Sequence, residues 1–217
     1  MKRRARLARG RFIVVEGLDG AGTTTQSRLL AERLRAAGRK VHVTAEPSAG
    51  PVGALARLVL SKRIGGDAKA GAPFDADALA LLFAADRLDH VASEIAPLLA
   101  EGVDVVSDRY ALSSLAYQAI TTGDAAWVEA VNARARAPDV TLFLEVSPRT
   151  AVSRRFSASS RRELYEVPEF QRKVARSYQR GIARLRALGQ RVEVIDGEQD
   201  VAAVTDALVA SLEQLPR

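Results

Sequence analysis

Cysteine is absent from the 217-residue chain. That excludes disulfides and cysteine-ligated zinc, and it suits a reducing, cytoplasmic setting. No apolar run approaches the roughly 20 residues that would span a bilayer, so no membrane partner is expected. The basic start, Met1 to Arg11, is followed only by Phe12 to Val15 before Glu16, too short for the apolar core of a signal peptide. No internal repeat, long linker or second domain is visible. With 47% hydrophobic residues there is enough apolar material for a single real core.

Negative charge is missing from one stretch alone. Lys2, Arg3, Arg4, Arg6, Arg9 and Arg11 have no acid among them, and they account for the whole net charge of +6. The reading is a basic arm over 1–11 followed by one neutral domain over 12–217. Such an arm could touch nucleic acid or anionic lipid. No aromatic residues interleave with its charges as stacking platforms, so nucleic acid is not the expected partner.

Short apolar runs at 12–16, 41–45, 103–107, 140–146 and 191–195 alternate with longer helical stretches. This is the pattern of an α/β fold: a doubly wound, parallel five-stranded sheet flanked by helices. Helices are expected at 24–37, 51–62, 75–100, 111–121, 124–136, 148–157, 167–188 and 200–213. Asp124 and Asp200 stand as N-caps, and Gly38, Gly102 and Gly189 follow C-termini. Phe170, Val174, Tyr178, Ile182 and Leu185 recur at spacings of three and four, which marks a core-facing stripe. Two segments break the rhythm: a glycine-rich connector over 65–73 and the polar, arginine-flanked stretch 153–162.

A further absence is local. Residues 17–25 read Gly-Leu-Asp-Gly-Ala-Gly-Thr-Thr-Thr, a phosphate-binding loop between a buried strand and a helix start. Gly17 and Gly22 let the backbone bend so that N–H groups and the helix dipole face one anion. Thr23 stands where the pattern requires lysine, while Thr24 keeps the hydroxyl that serves magnesium. Asp108-Arg109-Tyr110 follows the third strand, where a carboxylate can hold hydrated magnesium and an arginine fork can clamp phosphate. Phe83 and Arg87 share one helix face, an aromatic beside a cation. Ser114, Tyr117 and Gln118 share another, offering a ring and polar groups to a base edge. Arg154, Arg155, Arg161 and Arg162 flank a lid over about 153–163. Each of these groups alone also fits a bland reading as an ion pair, a core aromatic or a solvated face.

In order, the pieces FIVVEGLDGAG (12–22), TAEPSAGPVG (44–53), LLFAADR (81–87) and SDRYALSSLAYQ (107–118) resemble the thymidylate kinase family, from Phe12 to about Asp196. The resemblance implies a P-loop NTPase fold with an arginine-rich lid, ATP as donor, dTMP as acceptor, Mg2+ and a homodimer. It implies a donor site at Gly17, Leu18, Asp19, Gly20, Ala21, Gly22, Thr23 and Thr24, with Arg154 against adenine. It implies thymine on Phe83, the base and deoxyribose near Tyr117, and the base edge at Ser114 or Gln118. The acceptor phosphate would lie on Arg87 and Arg109, the sugar hydroxyl on Asp19, and magnesium on Thr24 and Asp108. Arg109, Asp108, Arg155, Arg161 and Arg162 are then the catalytic set. Gly20 suggests the subgroup whose lid supplies catalytic charge. Three positions depart from the family: Thr23 for lysine, Ala45 for arginine and Ser48 for glycine. A lid arginine, Lys62 or Arg63 is expected to supply the missing cation. The other readings are a nucleotide-binding module without turnover and a kinase of the same fold with another acceptor.

Overall fold

The computed structural model describes residues 9–61, 74–158 and 168–214, with 155–158 and 168 as backbone only. Five parallel strands, β1 (Phe12–Gly17), β2 (Val41–Ala45), β3 (Asp104–Asp108), β4 (Val140–Glu145) and β5 (Val192–Asp196), pair in the order β2-β3-β1-β4-β5. β1 is buried along its whole length because its alternate side chains serve two cores. Ile13 and Val15 join the larger cluster, with Leu30, Leu142, Val174 and Leu208. Phe12 and Val14 join a smaller one with Ile95, Leu99, Val105 and Tyr110, where the Phe12 and Tyr110 rings meet edge-to-face at 5.0 Å. A strand covered on both faces must be apolar throughout, and FIVV is. The edge strand β2 is only half buried.

The helices are α1 (Thr23–Ala36), α2 (Pro51–Leu60), α3 (Ala76–His90), α4 (Ala96–Ala100), α5 (Ala111–Thr121), α6 (Ala125–Asn132), α7 (Pro148–Ala158), α8 (Pro168–Ala187) and α9 (Val201–Glu213). Asp75, Asp124 and Asp200 cap α3, α6 and α9 through their side chains, as N-caps do. Val174, Tyr178, Ile182 and Leu185 of α8 lie in the core.

Two helix expectations need correction. The stretch 75–100 is not one uniform helix: a π-turn over Val91–Ile95 separates α3 from α4. α6 ends at Asn132 rather than 136. Pro138 disfavours helical geometry just before it, and the Asn132 side-chain oxygen Oδ1 accepts from Arg87. At the chain's start, Gly10 donates to the Leu99 carbonyl and Arg11 pairs with Asp104, so the last residues of the expected arm are docked. Residues 1–8 lie outside those described.

β1 and β3 are neighbours, yet their following connections leave toward opposite ends of the sheet. Such a reversal opens a crevice beyond the carboxyl ends of the strands. The phosphate loop follows β1 there, and Asp108-Arg109 follows β3.

Candidate active site

Gly22 caps α1 in the left-handed conformation, φ 94°, with no side-chain hydrogen bond and no acid in the first turn. In contrast to the aspartate-capped helices, α1 therefore presents bare N–H groups and the positive end of its dipole to an anion. The two loop glycines with positive φ differ in purpose. A Cβ on Gly20 would meet the Ala151 carbonyl of α7 at 2.1 Å, whereas one on Gly22 would meet nothing within 4 Å. Gly20 permits packing; Gly22 leaves space over the loop.

A cleft of about 740 Å³ opens on this loop, lined by residues 19–26, Arg109, Arg154 and the turn after β5 (Gly197, Gln199, Asp200) with Val201 and Val204 of α9. Gly17 and Leu18 do not line it. Leu18 is core, and the Gly17 carbonyl accepts from Arg109 and Tyr178. Thr23 lines the cleft with its side chain nearly buried. Arg154 is anchored on the Gly197 carbonyl at 2.8 Å. Among the described residues, Arg109 and Arg154 are the cations that line this cleft.

A second cavity, of about 160 Å³, is lined by Asp19, Glu46, Pro47, Leu60, Phe83, Arg87, Arg109, Tyr110, Ser113, Tyr117 and Gln118. Asp19 and Arg109 belong to both cavities and are ion-paired at 2.6 Å.

Arg109 is held from many sides. It donates to Asp19, to the Gly17 carbonyl at 3.0 Å, to the Tyr178 hydroxyl at 3.1 Å and to Ser113 at 3.2 Å. Its guanidinium lies 5.7 Å from the centre of the Tyr117 ring. Its φ of 72° makes it a rare left-handed non-glycine residue, the kind of strain that persists only where the surroundings over-determine it. Burial opposes its charge, but Asp19 and its neighbours raise its pKa well above the ordinary value. It stays a cation throughout the working range.

Beneath it lies Glu16, fully buried at the end of β1 and accepting from Tyr110 N–H, from Ser113 N–H and hydroxyl, and from the Tyr178 hydroxyl. Burial raises the Glu16 pKa, partly offset by Arg109 and these donors. The carboxylate thus ties β1, α5 and α8 together under the guanidinium.

Arg87 is also almost wholly buried. It pairs with Glu46 at 2.7 Å, donates to Asn132 and to Ser114 at 3.1 Å, and lies 5.1 Å over the Tyr110 ring. Ser114 consequently sits behind Arg87 and is not among the cavity's lining residues; Ser113 and Gln118 are. Ser48, where the family pattern has glycine, is satisfied by buried Asp86, which accepts its N–H at 2.7 Å and its hydroxyl at 2.5 Å. Thr24 Oγ1 donates to Asp108 Oδ2 at 2.5 Å, while buried Asp108 Oδ1 has no hydrogen-bond partner. An oxygen pair with spare acceptor capacity beside a phosphate loop fits a hard divalent cation that keeps several waters. No cluster of three or more acidic, histidine or cysteine ligands exists among the described residues. Arg161, Arg162, Lys62 and Arg63 lie outside those residues, as does the side chain of Arg155.

The structure thus brings together Asp19, Phe83, Arg87, Arg109, Tyr117 and Gln118 around one cavity, and the loop with Arg154 around the other. Sequence reading missed Glu16, Glu46, Tyr178 and the turn after β5. That turn was within reach, since it follows a strand's carboxyl end; the Glu16–Tyr178 contact spans 162 positions and carried no local signal.

The description Thymidylate kinase belongs to the family whose profile matches residues 15–208. The chain belongs to the thymidylate kinase family. It is 39% identical to a probable thymidylate kinase of Thermococcus kodakarensis, over 94% of this chain and 98% of the relative. A second such relative, from Pyrococcus horikoshii, is 41% identical over 78% and 82%, and a third, from Methanococcus vannielii, 39% over 81% and 79%. The fold is accordingly that of a thymidylate kinase: a five-stranded parallel sheet flanked by helices.

Proposed function

We propose that the protein transfers the γ-phosphate of ATP to dTMP, giving dTDP and ADP. The observation that carries this reading is the pair Asp19–Arg109, common to a phosphate-loop cleft and an aromatic-walled cavity. Two nucleotides seated in those cavities meet phosphate to phosphate at that pair. The donor takes the loop, residues 19–24, with its adenine toward Arg154. The acceptor places thymine against Phe83 and Gln118, its sugar by Tyr117 and Asp19, and its phosphate on Arg87 and Arg109.

An oxygen of the acceptor phosphate attacks the γ-phosphorus, and the bond from that phosphorus to the bridging oxygen breaks, its electrons leaving with ADP. No general base is needed, because a phosphate monoester is mostly a dianion above its second pKa of about 6. The protein's work is alignment and charge neutralisation. Thr24 and Asp108 would hold Mg2+, whose positive charge would offset that of the donor's terminal phosphates. Arg109 faces both phosphates. With Thr23 in the lysine position, the missing cation is assigned to a lid arginine (Arg155, Arg161 or Arg162), Lys62 or Arg63, beside Arg154.

A coupled assay of ADP release with dTMP, ATP and Mg2+ tests the reading. Turnover well above background is expected, with dTMP far better than thymidine, since Arg87 and Arg109 demand a phosphate. Binding of both ligands by calorimetry without turnover would instead leave a nucleotide-binding module. Exposed Leu55 and Leu58 of α2 and Leu81 and Leu88 of α3 support a homodimer through the α2–α3 layer, which light scattering would measure. A cytoplasmic location accords with the cysteine-free composition.

A further inference from the structure

Both histidines of the chain lie in one ladder of contacts that ends on Arg87. His42, on the edge strand β2, reaches Glu94 of the π-turn at 2.8 Å. Glu94 lies 3.7 Å from His90 Nε2, which also contacts the Thr44 hydroxyl at 2.8 Å. His90 Nδ1 faces Glu46 Oε1 at 3.3 Å, and Glu46 Oε2 pairs with Arg87 at 2.7 Å. The ladder runs from a half-exposed imidazole to the guanidinium lining the acceptor cavity. π-turns concentrate at functional sites, and this one positions Glu94 for both imidazoles.

Behind Arg87, charged groups of both signs crowd together, and His90 is the titrating group that touches Glu46. Glu46 and Asp86 are buried carboxylates, and Arg87 is the buried guanidinium among them. Tyr110, packed on the other side of Arg87, has its pKa pushed up by burial and stays neutral; Arg136, whose field also reaches Tyr110, and Arg57, bound to the Ser48 carbonyl beside Asp86, are further cations here. Glu94 is partly exposed and partnered by His42. Deprotonation of His90 removes one positive charge from this wall, which faces a cavity that must receive a dianion. With His90 protonated, Glu46 lies between two cations and withholds less of the Arg87 field from the ligand.

We propose that His90 is a positioning residue for the acceptor phosphate, its imidazolium holding Glu46 and weakening that carboxylate's hold on the Arg87 charge. The inference rests on the proposed reading of that cavity as the dTMP site. Burial disfavours the His90 charge, but the hydrogen bond to Glu46 and the fields of Glu46, Glu94 and Asp86 outweigh it, so its pKa lies above the ordinary value. The imidazolium therefore persists below that raised pKa and is lost as pH climbs through it. Affinity for dTMP should be greatest between the acceptor's second ionisation, near pH 6, and the His90 pKa.

The experiment measures the KM for dTMP from pH 6.5 to 9 in the wild type and His90→Asn. The wild-type KM should climb on the alkaline side. The variant should have a KM about tenfold higher at pH 7, flat with pH, with kcat within about twofold and the KM for ATP unchanged. Should the buried substitution impair folding, Glu94→Gln acts from the half-exposed end, and the alkaline rise should then move to lower pH. Proton NMR gives a second readout, because the chain has only two histidines and His42→Asn assigns them. Saturating dTMP should raise the His90 pKa. Identical pH dependence in wild type and His90→Asn, or a His90 pKa unmoved by dTMP, overturns the inference. A protein that neither binds nor phosphorylates dTMP ends the functional reading itself; normal turnover with a pH-silent His90 ends this inference alone.

Discussion

In the smaller cavity, proposed for the acceptor, every charged side chain is gripped by another side chain, whereas the loop cleft proposed for the donor, apart from the Asp19–Arg109 pair common to both, is lined largely by glycines, threonines and the bare start of a helix. Arg87 has Glu46, Asn132 and Ser114; Arg109 has Asp19, Ser113 and Tyr178. Opposite them, α1 has no side-chain cap, Gly22 fronts open space, and Arg154 rests on one carbonyl. Side chains in the first region are fixed before a ligand arrives, which reduces the ordering that binding must impose. The second region offers backbone dipoles and room, suited to a polyphosphate that brings its own counter-ion. The two regions depend on different things: one on ion-pair geometry, the other on loop shape.

Substituting the residue that serves both regions should have the largest effect. Arg109→Ala removes the cation common to both cavities and takes from Asp19 its ion pair with Arg109. A fall in kcat/KM on the order of 10³-fold is expected, with both KM values affected. A loss confined to the KM for dTMP would show that Arg109 belongs to one cavity only. Next, Thr24→Ala deletes the hydroxyl that donates to Asp108. The magnesium concentration for half-maximal rate should rise about 10–100-fold while dTMP binding, followed by calorimetry, stays put. An unchanged magnesium titration would remove Thr24 from the metal site.

The two left-handed loop glycines sharpen the distinction between architecture and ligand. Gly20→Ala forces a Cβ against the Ala151 carbonyl at 2.1 Å on top of an unfavourable φ. Thermal or denaturant unfolding should show a loss of about 2–5 kcal/mol. Gly22→Ala carries only the backbone cost, about 1–2 kcal/mol, but fills space over the loop, so the KM for ATP should rise more than stability falls. Equal stability losses with unchanged ATP affinity would mean that Gly22 does not face phosphate.

The strands were legible because both of their signals are local: strand-like, mostly apolar runs of five to seven residues, bounded by polar or glycine positions. The observed strand ends fall within a residue of the expected ones. Cavity residues such as Phe83, Arg87 and Tyr117 were legible because helical spacing places them on shared faces. The π-turn was not, since inserting one residue's worth of turn leaves composition unchanged and disturbs periodicity only over Val91–Ile95. Ser114 illustrates a different limit. Its spacing puts it on the same side as Tyr117 and Gln118, but the buried Arg87 guanidinium lines the cavity in its place and claims its hydroxyl. Tyr178 was rightly read as core, yet its ring and its hydroxyl have different fates. The ring packs at 5.0 Å from Phe143 while the hydroxyl joins Glu16 and Arg109. A stripe at helical spacing reports the ring and is silent about the oxygen.

The smallest expected effect concerns the position that departs most from the phosphate-loop pattern. Thr23 is nearly buried, and its methyl lies close to Gly17, 3.2 Å from where a Cβ would stand there; the loop is packed around a threonine, not left hollow for a longer side chain. Thr23→Lys adds an ammonium to a cleft that Arg109 and Arg154 already line. Removing one well-placed transition-state donor typically costs a factor of about 10²–10³, so supplying one to a site that truly lacked it should restore a comparable factor. A site already provided with guanidinium charge should respond far less. The expected outcome is a severalfold lower KM for ATP with kcat changed by less than about tenfold. A hundredfold gain in kcat would instead show that no other cation reaches the transferring phosphoryl group, and that the donor cleft, unlike the acceptor cavity, is incomplete.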